Sequence, residues 1–259
     1  MELLTVYPEP TIERRVCDLL LGSLGARGQE IWLVSPWITD FEIDLTDRGL
    51  FAPSLGSAIE TVRLSGLLAV LAQDNAVNIV SRPPDVHFGW GNLTRLVELF
   101  AARSALASGP ASDAAHLALA LLERESDAVI GALQSHIDTV RFCRDMRGRR
   151  GVTLWFNRRL HAKLLCTPSG AITGSANFTR SGMHYNDELS LQADDATDVA
   201  QLRAASRTFC DRRHAVLATK YSLRGALSPA EREAFAAVVA SDLLPPGPRE
   251  FLLSCAADW

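Results

Sequence analysis

Apolar residues occur along the chain in short runs that are continuous or alternate with polar residues, as in β-strands. Residues 31–38 are almost entirely apolar, which predicts a strand covered on both faces of a sheet. Residues 160–166 alternate instead, with four side chains on one face: Leu160, Ala162, Leu164 and Cys166. Similar runs predict further strands at 77–81, 137–143, 152–157, 171–173 and 189–193.

Longer segments repeat their apolar residues every three to four positions, which is the period of a helix packed on one face. Ser228 and Glu231 form a capping box that predicts the start of one such helix. The predicted helices span residues 10–24, 54–72, 93–106, 113–136, 197–219 and 228–243. Strands interleaved with helices indicate the α/β class.

The most reactive side chains lie within residues 161–188. His161 and Lys163 share the second face of the alternating segment, so both point toward one pocket. A turn at 167–170 reverses the chain, which places Ser175 beside the strand of His161. Asn177 and Glu188 follow. These groups can attack a phosphodiester, neutralise its oxygens and orient the attacking ring.

The spacing His161-x-Lys163, then Gly174-Ser175-x-Asn177 and Asn186-x-Glu188, resembles the phospholipase D superfamily, whose signature is HxK, an Asp five residues after the Lys, and a downstream GSxN. Residues 31–40 resemble the first core strand of bacterial members. Pro168 stands where the signature has an Asp, so we expect an altered hairpin geometry. The resemblance implies a phospholipase D-like mixed β-sheet flanked by helices, with the catalytic domain at 1–225. Compared with that fold, residues 93–136 are expected to be a helical insertion and residues 226–259 a C-terminal helical extension.

The resemblance also implies a mechanism. One copy of the signature is half an active site in this family, so we expect a homodimer whose two copies meet on a twofold axis. His161 of one protomer forms a phosphohistidine and His161 of the other protonates the leaving oxygen. Lys163, Ser175 and Asn177 bind the phosphate oxygens, and Glu188 accepts a proton from the imidazole. No cofactor and no metal are implied.

Charge is unevenly distributed along the chain. The net charge is −4, which argues against general affinity for nucleic acid. Between Arg141 and Lys163, however, eight cations face one acid. Arg149, Arg150, Arg158 and Arg159 are therefore candidates for binding a polyanionic backbone, the alternative being a solvated loop in an arginine-rich protein. Of 26 basic residues only two are lysines, and one is Lys163 of the signature.

Other features narrow the function class. No apolar run reaches the roughly 18 residues of a membrane span, and residues 1–5 lack a basic region, so we expect no membrane association and a cytoplasmic protein. The five cysteines form no CxxC pair, which indicates reduced, mostly buried thiols.

Three functions remain. The first is a nuclease that cleaves DNA or RNA without a metal, by analogy with small bacterial nucleases of restriction and phage-defence systems that have operon partners. The second is a phospholipase or phosphatidyl transferase. The third is a non-catalytic subunit that binds nucleic acid and retains the fold.

Overall fold

The structure is a computed structural model that describes residues 2–5, 11–45, 61–211 and 213–258. Ten strands lie within these ranges. They are β1 (Glu2–Thr5), β2 (Glu30–Val34), β3 (Glu42–Asp44), β4 (Thr61–Arg63), β5 (Ala76–Ser81), β6 (Val152–Asn157), β7 (Leu164–Thr167), β8 (Gly170–Gly174), β9 (Leu189–Ala193) and β10 (Ala215–Leu217). β3 pairs with β4, and the other eight form one sheet.

Ten α-helices accompany these strands in the same part of the chain. They are α1 (Thr11–Gly22), α2 (Leu64–Asp74), α3 (Pro84–Phe88), α4 (Trp90–Ala107), α5 (Asp113–Met146), α6 (Arg180–His184), α7 (Ala196–Thr208), α8 (Leu223–Ala226), α9 (Pro229–Ala240) and α10 (Pro246–Asp258). The predicted mixed α/β architecture, with a large sheet flanked by helices, is confirmed.

The direction of the strands gives the large sheet two distinct edges. Its order is β1-β9-β8-β7-β2-β5-β6-β10. β2, β5 and β6 are parallel, and β7 and β9 run against their neighbours. We call the edge where β2, β5, β6 and β8 end the carboxyl edge, and the edge where they begin the amino edge. β7 and β9 therefore begin at the carboxyl edge.

The core of the sheet follows the predicted alternation. Leu160, Leu164 and Cys166 pack in one apolar cluster with Trp32 and Val34. α7 packs against β2, β7 and β8, and α1 packs against β1, β7 and β8. β7 itself begins only at Leu164, but the side chains before it keep the alternating pattern, so the predicted orientation of this face is confirmed.

Two predicted elements are wrong. Residues 137–143 are not a strand, because α5 continues to Met146. Ile137, Val140 and Cys143 are buried at helical spacing, and this period outweighs the local alternation. The predicted helix 197–219 ends at Thr208, and residues Ala215–Leu217 instead form β10, which pairs antiparallel with β6.

Two other predictions are corrected in part. Residues 61–63 of the predicted helix 54–72 form β4, and the helix itself is α2; residues 54–60 lie outside the described ranges. The capping box is confirmed: Ser228 Oγ accepts from Glu231 N at 3.3 Å, and Ser228 N donates to Glu231 Oε2 at 2.7 Å. The helix that it starts ends at Ala240, three residues earlier than predicted.

The chain forms two compact units. The first comprises Met1–Pro83 and Arg141–Lys220 and contains the large sheet. The second comprises Pro84–Val140 and Tyr221–Trp259, where α9 packs against α4 and the rings of Phe88 and Phe235 are 6.0 Å apart. The expected catalytic domain of residues 1–225 stays a prediction.

The five cysteines are free thiols, and all but Cys210 are buried. Burial raises the pKa of Cys143 to about 12 and that of Cys210 to about 11, because an apolar surrounding disfavours the thiolate. Among the described helices, none combines the length and apolarity needed to cross a bilayer.

Candidate active site

The carboxyl edge gathers the segments that carry the predicted site residues. His161 and Lys163 lie just before β7, Ser175 and Asn177 follow β8, and Glu188 directly precedes β9. Because β7 and β9 begin where β8 ends, the topology brings these three segments to one edge of the sheet. In open α/β sheets this edge is the usual location of ligand sites.

The segment from His161 to Lys163 is fixed through its neighbours. Ala162 packs against the apolar cluster, which leaves His161 exposed and Lys163 half-buried. The Lys163 carbonyl accepts from Gly174 N at 3.3 Å and from Thr173 Oγ1 at 3.1 Å. The end of β8 therefore lies beside this segment, as predicted.

The hairpin turn that contains Pro168 lies at the other end of β7. Thr167 pairs with Gly170, so the turn has two residues. Thr167 Oγ1 donates to the Gly170 carbonyl at 3.1 Å and accepts from Ser169 N at 3.3 Å. Pro168 is thus at the amino edge, separated from Lys163 by the whole of β7.

Gly174 allows Ser175 to approach β9. A Cβ on Gly174 would lie 2.3 Å from the Leu189 carbonyl oxygen, which is closer than real atoms come. The Ser175 backbone N donates to that oxygen at 2.9 Å, and Ser175 Oγ accepts from Leu189 N at 3.0 Å. Ser175 Oγ also donates to Glu188 Oε2. The glycine before Ser175 is therefore a steric requirement of the site.

Asn177 is held by the segment that follows β2. The buried Ser35 Oγ lies 3.3 Å from Asn177 Oδ1 and 2.7 Å from the Trp37 carbonyl oxygen. Phe178 extends this contact, since its carbonyl accepts from Thr39 N at 2.9 Å. With its carbonyl oxygen turned toward Ser35, Asn177 has its amide N–H groups available for an anion.

Glu188 does not contact the imidazole in the described part of the chain. Its Oε2 accepts from Ser175, and its Oε1 accepts from Asn186 Nδ2 at 3.4 Å. The predicted proton acceptance from His161 is therefore not formed within this chain. Glu188 instead fixes the hydroxyl of Ser175.

The partner of His161 is Arg82, which our sequence analysis missed. Arg82 Nη2 lies 2.8 Å from His161 Nε2 and 3.4 Å from Nδ1, and Arg82 Nε donates to the Leu160 carbonyl at 2.9 Å. The guanidinium carbon lies 5.1 Å from the centre of the Trp37 ring. The signal in the sequence was the position of Arg82 immediately after a parallel strand, β5.

The four candidate arginines form two separate pairs. Arg158 and Arg159 lie in the turn between β6 and His161, where Arg159 N donates to Asn157 Oδ1 at 2.9 Å. Arg149 and Arg150 precede β6 at the amino edge. The six residues of β6 separate the pairs by roughly 20 Å. The sequence cluster is therefore not one surface, and only the first pair adjoins His161.

No group of three or more potential metal ligands occurs among the described residues. An open depression of about 400 Å³ lies at the amino edge, where Asp74, Asn75, Arg150 and Thr153 are among its lining residues. No residue of the signature lines it, so this depression is distinct from the candidate active site.

Several solved structures are similar to the chain. A phospholipase D family member, Nuc from Salmonella typhimurium, has 14% identity and a TM-score of 0.39, with 83% of this chain and 97% of that chain covered. NucT from Helicobacter pylori has 10% identity, a TM-score of 0.39 and coverages of 81% and 94%. Phosphatidylserine synthase from Haemophilus influenzae Rd KW20 has 12% identity, a TM-score of 0.40 and coverages of 92% and 44%.

No protein-family model matches the chain, and neither does any curated protein sequence. The solved structures thus include a protein described as a phospholipase D family member, the superfamily that the signature residues resemble.

Proposed function

We propose that the protein is a metal-independent phosphodiesterase, and more specifically a nuclease that acts as a homodimer. The supporting observation is the convergence of His161, Lys163, Ser175, Asn177 and Glu188 at the carboxyl edge, on three segments joined by backbone hydrogen bonds. An exposed imidazole at the same edge of the sheet as an ammonium, an amide and a fixed hydroxyl is suited to attack on phosphorus.

The dimer supplies the second half of the reaction. A nucleophile and a separate acid are both needed, and one chain offers a single imidazole within the signature. Two copies related by a twofold axis would present the same edge to each other, so each contributes one His161 to a shared cleft.

The reaction then proceeds in two displacements. His161 of one protomer attacks phosphorus through a ring nitrogen, and a nitrogen–phosphorus bond forms as the bond to the leaving oxygen breaks. The partner protomer's imidazolium gives its proton to that oxygen. The partner imidazole, now neutral, takes a proton from water, whose oxygen attacks phosphorus and breaks the nitrogen–phosphorus bond. Both imidazoles are thereby returned to their initial states.

The other residues bind the charge that develops on phosphorus. Lys163 provides a compact ammonium and Asn177 provides amide N–H donors for the non-bridging oxygens. Ser175, fixed by Glu188, provides a further polar contact. Arg158 and Arg159 extend the positive charge beyond the reacting phosphate, which favours a polyanionic chain over a single diester.

An assay with EDTA tests the proposal. Single-stranded DNA, double-stranded DNA, RNA and phosphatidylcholine are offered to the purified protein with the chelator present throughout. Cleavage of a nucleic acid that persists in EDTA supports the proposal. Cleavage of the lipid alone would instead indicate a phospholipase or phosphatidyl transferase, and salt-sensitive binding without cleavage would indicate a non-catalytic subunit.

The expected restriction or phage-defence setting, with operon partner proteins, follows from the sequence resemblance alone and remains part of the proposal. It is tested by phage plaque counts on cells that carry the natural operon or the same operon with His161→Ala. A drop in plaque number that depends on His161 supports this setting, and equal plaque numbers contradict it.

A further inference from the structure

Of the aromatic side chains that the structure describes, Tyr185 is the one that is exposed. Its exposed fraction is 70%, whereas Trp155 packs against the apolar cluster and Trp37 has the guanidinium of Arg82 over its ring. An exposed aromatic ring leaves a large apolar surface in water, and such rings are enriched where proteins bind other molecules. Tyr185 is therefore a candidate for contact with a ligand.

The ring of Tyr185 is restrained by its own backbone and by a neighbouring ring. Tyr185 N and Asn186 N both donate to the Ser181 carbonyl at 2.9 Å, which fixes the chain at the end of α6. The centre of the His184 ring lies 5.9 Å from that of the Tyr185 ring, and His184 Nδ1 is 3.5 Å from Glu13 Oε2. A ring restrained in this way loses little conformational entropy when a ligand stacks on it.

A short series of contacts joins Tyr185 to the candidate active site. Asn186, the next residue, donates from Nδ2 to Glu188 Oε1 at 3.4 Å, and Glu188 Oε2 accepts from Ser175 Oγ. The Cα atoms of Tyr185 and Glu188 are at most about 11 Å apart, because the two residues are three positions apart in the chain. Along a strand whose phosphate lies beside Ser175, a nearby base is therefore within reach of Tyr185.

Charge decides which part of a nucleotide can lie against Tyr185. Asp187 is exposed and Glu188 follows it, so a phosphate next to this ring would meet two carboxylates. A neutral base meets no such repulsion and can stack on an aromatic face, while the cations of the carboxyl edge bind the phosphates. Bases in a duplex are already stacked and paired, so only an unpaired base can occupy this position.

We propose that Tyr185 stacks on an unpaired base next to the reacting phosphate, so that the substrate is a single-stranded nucleic acid. This inference rests on the proposed nuclease function and adds the class of its substrate. It assigns the choice between single and double strands to an aromatic side chain outside the signature, while the reaction uses the groups already described.

Stacking is tested by binding, in EDTA and in a His161→Ala background so that no strand is cleaved. Fluorescence anisotropy compares labelled probes of one length: single-stranded DNA, its duplex, and a single strand without bases. Tyr185→Ala should weaken binding of the base-carrying strand roughly 5- to 100-fold, the range for one stacked base. Its binding of the duplex and of the abasic strand should change less than about two-fold. Tyr185→Phe keeps the ring and should bind the base-carrying strand within about two-fold of its parent.

Val216→Ala is the matched control for the loss of an exposed apolar side chain. Val216 is exposed on β10, six strand spacings from β9 and thus roughly 30 Å away, so its replacement should leave the binding of every probe unchanged.

The salt dependence and the turnover give two further measurements. Stacking is not ionic, so Tyr185→Ala should leave the slope of log affinity against log salt unchanged, whereas a lost phosphate contact would lower it by about 0.7. With His161 present, the wild-type kcat/KM for the single strand should exceed that for the duplex about five-fold or more, and Tyr185→Ala should reduce this ratio.

The outcomes separate this inference from the proposed function. If Tyr185→Ala binds every probe as Val216→Ala does, stacking is overturned while the phosphodiesterase is unaffected. An equal loss of binding for all probes would mean that Tyr185 has a general structural role, which also overturns stacking. If the wild-type protein cleaves no phosphodiester but the loss is confined to the base-carrying strand, the proposed function fails and stacking is supported.

Discussion

The two edges of the large sheet carry similar residues in different arrangements. Exposed arginines and a close-packed glycine occur at both: Arg158 and Gly174 at the carboxyl edge, Arg150 and Gly151 at the amino edge. At the amino edge Arg27 lies 3.9 Å from the Asp74 carboxylate, and Arg149 Nε donates to the Asp145 carbonyl. At the carboxyl edge Arg82 instead contacts an imidazole. Positive charge alone therefore does not distinguish the edges; the partners of each cation do.

The largest expected effect belongs to His161. His161→Ala should reduce cleavage by at least about 10³-fold, because the proposed mechanism then loses the nucleophile of one half-site and the acid of the other together. The melting temperature should stay within about 2 °C of wild type, since the side chain is exposed. Initial rates in EDTA and thermal melts measure both. Full activity in the folded variant would remove the carboxyl edge as the site of chemistry.

A substitution at Gly174 tests whether the carboxyl edge depends on the close approach of the β8 backbone to the β9 backbone. Gly174→Ala should destabilise the protein by roughly 2–4 kcal/mol, because its Cβ would lie 2.3 Å from the Leu189 carbonyl oxygen. Gly25→Ala, in the loop before β2, is the matched control, because its Cβ would meet nothing within 4 Å. Urea unfolding compares the two. Equal midpoints for the two variants would contradict the steric argument.

Removing the charge of one arginine pair or the other tests which edge of the sheet binds the nucleic acid. The double variant Arg158→Gln, Arg159→Gln should weaken nucleic-acid binding about ten-fold and reduce the slope of log affinity against log salt by about 2. The double variant Arg149→Gln, Arg150→Gln removes the same charge roughly 20 Å away and should have the smaller effect. Binding is measured in a His161→Ala background at several salt concentrations. The opposite ranking would assign the substrate to the amino edge.

The smallest effect concerns the shared cleft. If both imidazoles are needed, dimers formed from equal amounts of wild type and His161→Ala should keep about one quarter of the activity, because one dimer in four has two wild-type chains. Co-expression with two different tags and an activity assay on the mixed pool give the value. Half of the activity would mean that each chain works alone.

Much of the carboxyl edge was predictable because its residues are close in sequence. The alternation of Leu160, Ala162, Leu164 and Cys166 was sufficient to orient His161, and the turn at 167–170 was sufficient to bring Ser175 alongside. Arg82 could not be assigned to the site in this way. Its contact with His161 spans 79 positions and depends on β5 and β6 being parallel neighbours, which no local pattern specifies.

The incorrect elements have a similar cause. Within residues 137–143, Ile137, Val140 and Cys143 are buried at helical spacing, whereas Val140 and Phe142 are buried at the spacing of one face of a strand. The packing of α5 decides between the two periods, and that packing involves distant parts of the chain. The separation of the arginines between the two edges could not be predicted either. Arg150 and Arg158 are near in sequence, but they lie at opposite ends of β6.

Four of the five thiols are buried, so they should react little with the reagents that attach spectroscopic labels to cysteine. A cysteine introduced at Tyr185, whose side chain is 70% exposed and lies three residues before Glu188, would react with a maleimide spin label far faster than the native thiols. Pulsed electron resonance between two such labels would then test whether the proposed homodimer forms, and would report the distance across its twofold axis without removal of any native cysteine.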